Sequence, residues 1–334
     1  MGRGCLTTCS YCPGNESCSQ NPGSQSLVYS PSSGTGNLVT NAAIDPLTSR
    51  AFGCTSKRRK IKDLSLWLLA SLSLVAIVGP AIWIIGQLFT KVVQGWRWSV
   101  LIQVGSGLGG GLKNEIVGSV VIVIAVTVVA GTSGILSGLY LAEYANGIVG
   151  SVLRTASEVL SGVPSIVLGY VGYVALVVYF HWGYSLGAGI LVLTIMVIPY
   201  ITKSAEVSLR HVPTSYKEGA TALGMPNSVI LRRIVVKTAL PGIATGMIIA
   251  TAIAVGETAP LLYTAGYSQS LPAWSLTHRP IGYLTYAVWT FYNQPSAAAK
   301  QLSYDAAGIL IFAVVMLIIA SRVVVAITQK HSEF

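Results

Sequence analysis

"IVGSVVIVIAVTVVAGTSGILSGLYLA", residues 116–142, is a run of 27 residues without Asp, Glu, Lys or Arg. A helix rises about 1.5 Å per residue and a bilayer's hydrocarbon is about 30 Å thick, so about 20 such residues cross it. A helix apolar on every face has no side to offer water, and this run places the chain in a membrane. Charge-free runs at 64–89, 159–202, 239–256 and 306–321 repeat the pattern. The run 159–202 is long enough for two crossings. "FHWGYSLGAG" (180–189), with His181, Trp182, Tyr184 and three glycines, supplies a tight hairpin with interfacial aromatics between them. The sequence therefore predicts an all-α polytopic membrane protein of six transmembrane helices. The runs are continuous rather than alternating in polarity, which argues against a β-barrel. Composition agrees: of 334 residues 52% are hydrophobic and only 10% charged, with a mean hydropathy of +0.66.

The basic residues set an expected orientation. "KRRKIK" (57–62) abuts the first span, and such clusters stay on the cytoplasmic side. With six spans, both termini and the segment 203–238 then fall inside, and that segment carries Lys203, Arg210, Lys217, Arg232, Arg233 and Lys237. The formal net charge of +10 reads as a topology signal, not as nucleic-acid binding. Three regions are expected: a flexible tail (1–56), a first span with its outer loop (57–110), and the main membrane domain (111–330).

The tail is rich in Ser, Gly, Asn and Pro and holds all five cysteines. Cys5, Cys9 and Cys12 have a C-x3-C-x2-C spacing that can hold an iron-sulfur cluster. Against this, the tail runs straight into a span rather than into a soluble domain. An unstructured extension, with Cys18 and Cys54 equally incidental, is the expected reading, and no metal or catalytic site is assigned. "GSGLGGG" (105–111) has a phosphate loop's composition but lacks its lysine and helix, so it reads as a linker. No G-x-x-x-x-G-K motif occurs anywhere.

Within 203–238, Ser215 and Glu218 are spaced as a capping box opening a short helix. Ala220, Ala222 and Leu223 continue it, and Gly224 terminates it because glycine tolerates a left-handed conformation. Pro226 suits the start of a second helix, "VILRRIVVK", with Arg232 and Arg233 on one face. Gly219, Ala220 and Ala222 leave the first helix open to close approach by another protein.

Glu218, Ala220, Gly224 and Ile234 fall in register with the loop signature of the permease family of binding-protein-dependent ABC importers, which the segment resembles. Gly219 stands where that family has alanine, and Val236-Lys237 replaces its Leu-Pro. The resemblance implies a type I ABC importer permease fold. It also implies a loop, including Ser215, Glu218, Gly219, Ala220, Gly224, Arg232 and Arg233, that docks on a separate ATPase. ATP and Mg would sit on that partner and none on this chain, which would not itself be an enzyme. Four stretches, 116–145, 158–173, 221–246 and 254–266, look like the A-type permeases of phosphate-specific importers, PstA. That implies a second permease (PstC-like), two ATPase subunits (PstB-like) and an external phosphate-binding protein (PstS-like) in the plasma membrane of a prokaryote. Molybdate or sulfate is the alternative cargo, and a membrane metalloenzyme using the cysteines is the reading from another class. A stand-alone secondary transporter is disfavoured because the spans supply only Glu257 as a clear ionisable group.

The expected translocation pathway is Ser161, Pro164, Ser165, Glu257, Thr258 and Pro260. In "SGVPSIVLG" (161–169) proline frees backbone groups inside a span. In "AVGETAPLLYTAG" (254–266) Glu257 lies roughly 24 Å along the fifth span from Pro241, with Pro260 expected to bend a helix that continues past it. In PstA-like sequences an arginine commonly precedes this glutamate by one turn; here that position is Ile253. The cation is then expected from the partner permease. Two further expectations are an Arg154–Glu158 pair along one helix and an aromatic outer loop around Trp274, Tyr283, Tyr286, Trp289, Phe291 and Tyr292. That loop would anchor in the interface, receive an external partner, or both.

Overall fold

The computed structural model describes residues 57–106, 109–145, 147–272 and 275–329. It divides into residues 1–69 and 70–334. The described part of the first unit is the beginning of helix α1 (Lys57–Gly95), whose remainder belongs to the second.

After α1 come a short α2 (Ser99–Ile102) and a minimal antiparallel pair, β1 (Gly105–Ser106) and β2 (Gly109–Gly110), with Gly105 opposite Gly110. Then follow α3 (Lys113–Glu143), α4 (Gly147–Gly162), α5 (Ser165–Gly172) and a π-helical turn over Tyr173–Tyr179. Next are α6 (Leu186–Arg210), α7 (Thr214–Ala222), α8 (Asn227–Ile230), a second π turn (Leu231–Val235) and α9 (Val236–Gly256). The chain ends in α10 (Ala259–Thr264), α11 (Leu284–Tyr292) and α12 (Ala297–Gln329). Among the described residues five helical stretches are long and apolar enough to cross a membrane, and α4 with the stretch Ser165–Tyr179 makes a sixth crossing if the bent pair is one span. The six-helix expectation thus holds with one crossing broken. The hairpin also forms, with Trp182 N–H on the Leu176 carbonyl (3.1 Å) and Ser185 capping α6 through the Ala188 amide (3.4 Å).

Packing centres on α6, which lies against α3 and α9. In lipid, burying leucine against protein gains little over leaving it in hydrocarbon, so helices associate through close backbone approach at small residues. The crossing of α3 and α6 shows this. A Cβ on Gly138 would lie 2.6 Å from the Ala205 Cβ and 2.8 Å from the Thr202 carbonyl, and one on Gly134 would lie 2.8 Å from the Ile201 Cβ. All three distances are shorter than a real Cβ tolerates. Gly242 and Gly246 play the same part where α9 meets Ser208 and Ser204 of α6. Around these crossings Ile122, Val126, Leu193, Val197, Ala250 and Leu261 form the central core.

Gly138→Leu should overpack this crossing at a cost of about 1–3 kcal/mol or more. A drop in the unfolding midpoint of the detergent-solubilised protein measures it, and an unchanged midpoint refutes the close approach.

Candidate functional site

The broken crossing bends by 96° between α4 and α5. Pro164 lacks the N–H that a continuous helix would send to the Leu160 carbonyl, and the Val163 N–H takes that carbonyl instead (3.3 Å). A second break follows α9. The helix stops at Gly256, Glu257 is extended (φ −73°, ψ 134°), and α10 restarts at Ala259. Pro260 is the cause, since in a continuous helix its ring would press on the Gly256 carbonyl without donating to it. The expectation of a helix running past Glu257 with a bend at Pro260 is corrected to a full interruption before the proline. The Glu257 carbonyl, released from helical pairing, accepts from the Thr285 hydroxyl (3.0 Å).

The two breaks are neighbours. The Ser165 hydroxyl and the Glu257 carboxylate lie close enough to interact where α5 packs on α10. One turn on, Gly169 lets α5 press on α10, where a Cβ would lie 2.9 Å from the Pro260 Cα. Pro164 and Thr258 flank the pair in sequence, so five of the six expected pathway residues belong to this junction. Ser161 does not join it. Its hydroxyl donates back to the Glu158 carbonyl (2.8 Å), and it lines a separate cavity of about 210 Å³ with Arg154, Lys203 and Glu206. Among the described residues Glu257 forms no ion pair, and Ile253, half-buried one turn earlier, brings no charge. The result is a carboxylate at a gap in two helices, beside a hydroxyl and with no ion pair among the described residues.

The polar loop departs from expectation at its start and follows it at its end. Helix α7 begins at Thr214 with Pro213 (φ −57°, ψ 135°) as its flanking residue and no side-chain cap. Ser215 therefore falls inside the first turn, and the Ser215–Glu218 capping box does not form. Gly224 does terminate α7 (φ +72°), donating to the Thr221 carbonyl (2.9 Å) while the Met225 amide donates to that of Ala220 (3.2 Å). This crossed pair satisfies the last carbonyls of the helix.

Ala220 is buried with Leu209, Met225 and Ile230 in the protein's own core, so it does not face a partner as expected. Gly219 and Gly224 are open, with nothing within 4 Å of where a Cβ would stand. Ser215, Glu218, Ala222, Arg232 and Arg233 are exposed beside them, the arginines on the second π turn. Leu223, read from the sequence only as continuing the helix, is 83% exposed. The signal for it was an apolar residue immediately before the terminating glycine.

The expected Arg154–Glu158 pair is replaced by two longer-range ones. Arg154 Nε meets Glu206 Oε1 (2.6 Å), and Glu158 meets Lys203 Nζ (3.2 Å). In each pair one residue is on α4 and the other on α6, so both pairs span the interface between these helices.

At the other end of α3, Asn114 and Glu115 are fully buried. Gly105 N–H donates to Asn114 Oδ1 (3.0 Å) and the Tyr267 hydroxyl donates to Glu115 Oε1 (2.9 Å). Burial, then the neighbouring carboxylate, raise the Tyr267 phenol above its ordinary value. Tyr267 and Tyr286 stack at 4.4 Å. Tyr283 and Phe291 are core residues, which corrects their expected surface role, whereas Trp289 and Tyr292 are exposed. Trp274 lies outside the described residues. So do Cys5, Cys9, Cys12, Cys18 and Cys54, and among the described residues no three His, Cys, Asp or Glu side chains gather to hold a metal.

Residues 134–333 match the family described as binding-protein-dependent transport system inner membrane component. Over 267 residues the chain is 55% identical to the phosphate transport system permease protein PstA 2 of Mycobacterium tuberculosis, covering 80% of this chain and 89% of that protein. It is 34% identical over 256 residues to PstA of Yersinia pestis, covering 75% and 85%. It is 30% identical over 294 residues to PstA 1 of Mycobacterium tuberculosis, covering 84% and 93%.

Proposed function

The chain belongs to the binding-protein-dependent transport system inner membrane components, as a PstA-type permease, and from that premise we propose that it is one permease half of an ATP-driven phosphate importer. It is a multi-pass inner-membrane protein. The observation that carries the reading is likeness to phosphate transport permeases over four-fifths of the chain, at 55% identity.

In the reading proposed here, the face bearing α7 is cytoplasmic, supported by the basic residues around it. Gly219, Leu223 and Gly224 present an uncovered surface to a separate ATPase subunit, whose ATP and Mg remain on that partner. A second permease pairs with this chain, and an external binding protein delivers the anion. Closure of the ATPase pair draws α7 with it and rocks the permeases outward; hydrolysis resets them. The junction of Ser165 with Glu257 lies on the pathway between the halves. A carboxylate repels phosphate, so Glu257 acts as a charge partner for a cation of the other permease rather than as a ligand. Interrupted helices lining a passage expose the backbone groups that continuous helices hide.

Cells lacking their own high-affinity phosphate uptake, given this permease with its partner subunits, should accumulate labelled phosphate. A tenfold excess of unlabelled phosphate should suppress the label, whereas the same excess of molybdate or sulfate should not. Suppression by molybdate or sulfate alone would assign the other oxyanion as cargo.

A further inference from the structure

The C-terminal end of α3 is gripped by cations from three later elements. Arg154 of α4 donates through its terminal nitrogen to the Leu141 carbonyl (2.9 Å) and the Ala145 carbonyl (3.2 Å). Arg210, at the end of α6, donates to the same Leu141 carbonyl (3.3 Å). Glu206 of α6, almost fully buried, binds both arginines, at 2.6 Å and 3.1 Å. Lys217 of α7 reaches Glu143, the last residue of α3, at 2.6 Å. The last carbonyls of a helix carry its partial negative charge, so cations there satisfy both hydrogen bonding and field. Surface ion pairs contribute little, but Glu143 and Glu206 are only 19% and 6% exposed, so losing a cation would strand a carboxylate.

Two of these elements lead elsewhere. Helix α7 is the exposed loop helix, and α4 runs directly into the break at Pro164 and the Ser165–Glu257 contact. We propose that the Lys217–Glu143 pair and the Arg154–Glu206–Arg210 cluster form one clasp that transmits displacement of α7 through the end of α3 to α4, and so to the interrupted helices. Lys217 is a positioning residue: it touches neither phosphate nor nucleotide, and acts by holding α7 to α3. Without it the part of α7 near Glu143 loosens from α3, less of the ATPase's displacement reaches α3 and α4, and hydrolysis outruns import. The inference rests on the proposed function above, since it needs a coupled ATPase.

The test uses the complete complex, purified through the ATPase subunit so that only assembled particles are reconstituted into vesicles with the binding protein and labelled inorganic phosphate. Phosphate imported per ATP hydrolysed is the readout. Lys217→Glu and Glu143→Lys should each lower that ratio about tenfold, and the double reversal should restore it to within about twofold, as a coupling energy of the order of 1.4 kcal/mol implies. Lys217→Gln, which adds no repulsion, should lower the ratio in the same direction and serves where a reversal fails to assemble. Wild-type ratios in Lys217→Gln, or no rescue in the double reversal, would overturn the clasp while leaving the transport reading intact. Failure of the wild-type complex to move phosphate would instead overturn the transport reading.

Discussion

Gly224→Trp is expected to abolish phosphate uptake while leaving the permease folded in the membrane. At φ +72° an L-residue costs about 1–2 kcal/mol, so the cap of α7 would distort locally. The distortion would stay local because nothing lies within 4 Å of the substituted position and the core begins behind it at Ala220. The indole would project into the open space beside Leu223, on the surface proposed to receive the ATPase. Uptake of labelled phosphate should fall at least about tenfold, the equivalent of losing 1.4 kcal/mol from a docking contact. The unfolding midpoint of the purified permease should move little. Gly224→Asn separates conformation from bulk, since asparagine tolerates the left-handed region, and should retain most transport. Normal uptake by the tryptophan variant would remove α7 from the docking surface.

Glu257→Gln carries the second large effect. Glutamine keeps the size and polarity of the side chain, and the close approach of Gly169 to Pro260 is untouched, so the junction of the two breaks should remain assembled, but the charge is gone. Holding an ionised carboxylate in hydrocarbon costs at least about 2.5–3.5 kcal/mol on insertion scales. It has no ion pair among the described residues of this chain, and the proposed reading gives it a cation of the partner permease. The initial uptake rate should drop by about tenfold or more, with undiminished recovery of the complex, if that ion pair is worth at least about 1.4 kcal/mol in the transport cycle. Ser165→Ala, which leaves the charge and removes only the neighbouring hydroxyl, should cost less. Full uptake by Glu257→Gln would reduce the residue to a structural one.

Features set by neighbours along the chain could be read from the sequence. The left-handed end of α7 follows from Gly224 itself, and the spans follow from their uncharged runs. Both helix interruptions were announced by their prolines, although the break at Glu257 is complete where only a bend was expected. The start of α7 was not legible in this way: Pro213 pre-sets its own backbone and opens the helix two residues before the serine that resembled a cap. Partner choice was least legible. Arg154 had a carboxylate four residues away, yet pairs with Glu206, 52 residues on, because the rotation of α4 against α6 decides which side chains meet. The same holds for Ser165 and Glu257. Each was marked by its own local chemistry, and only the packing of α5 on α10 through Gly169 brought them together. Tyr283 and Phe291 were assigned to the surface because aromatic composition does not tell a wet face from a dry one.

The glycine-lined crossing of α3 and α6 has a consequence for how the protein moves. Two helices interlocked at backbone distance cannot slide past one another without collision, so they behave as one bar, and α9 is keyed to it through Ser204 and Ser208. A bar of this kind can pivot but not flex. Any change of shape must then collect at the joints the chain provides, the turn at Pro164 and the gap at Glu257, where the hydroxyl and the carboxylate meet.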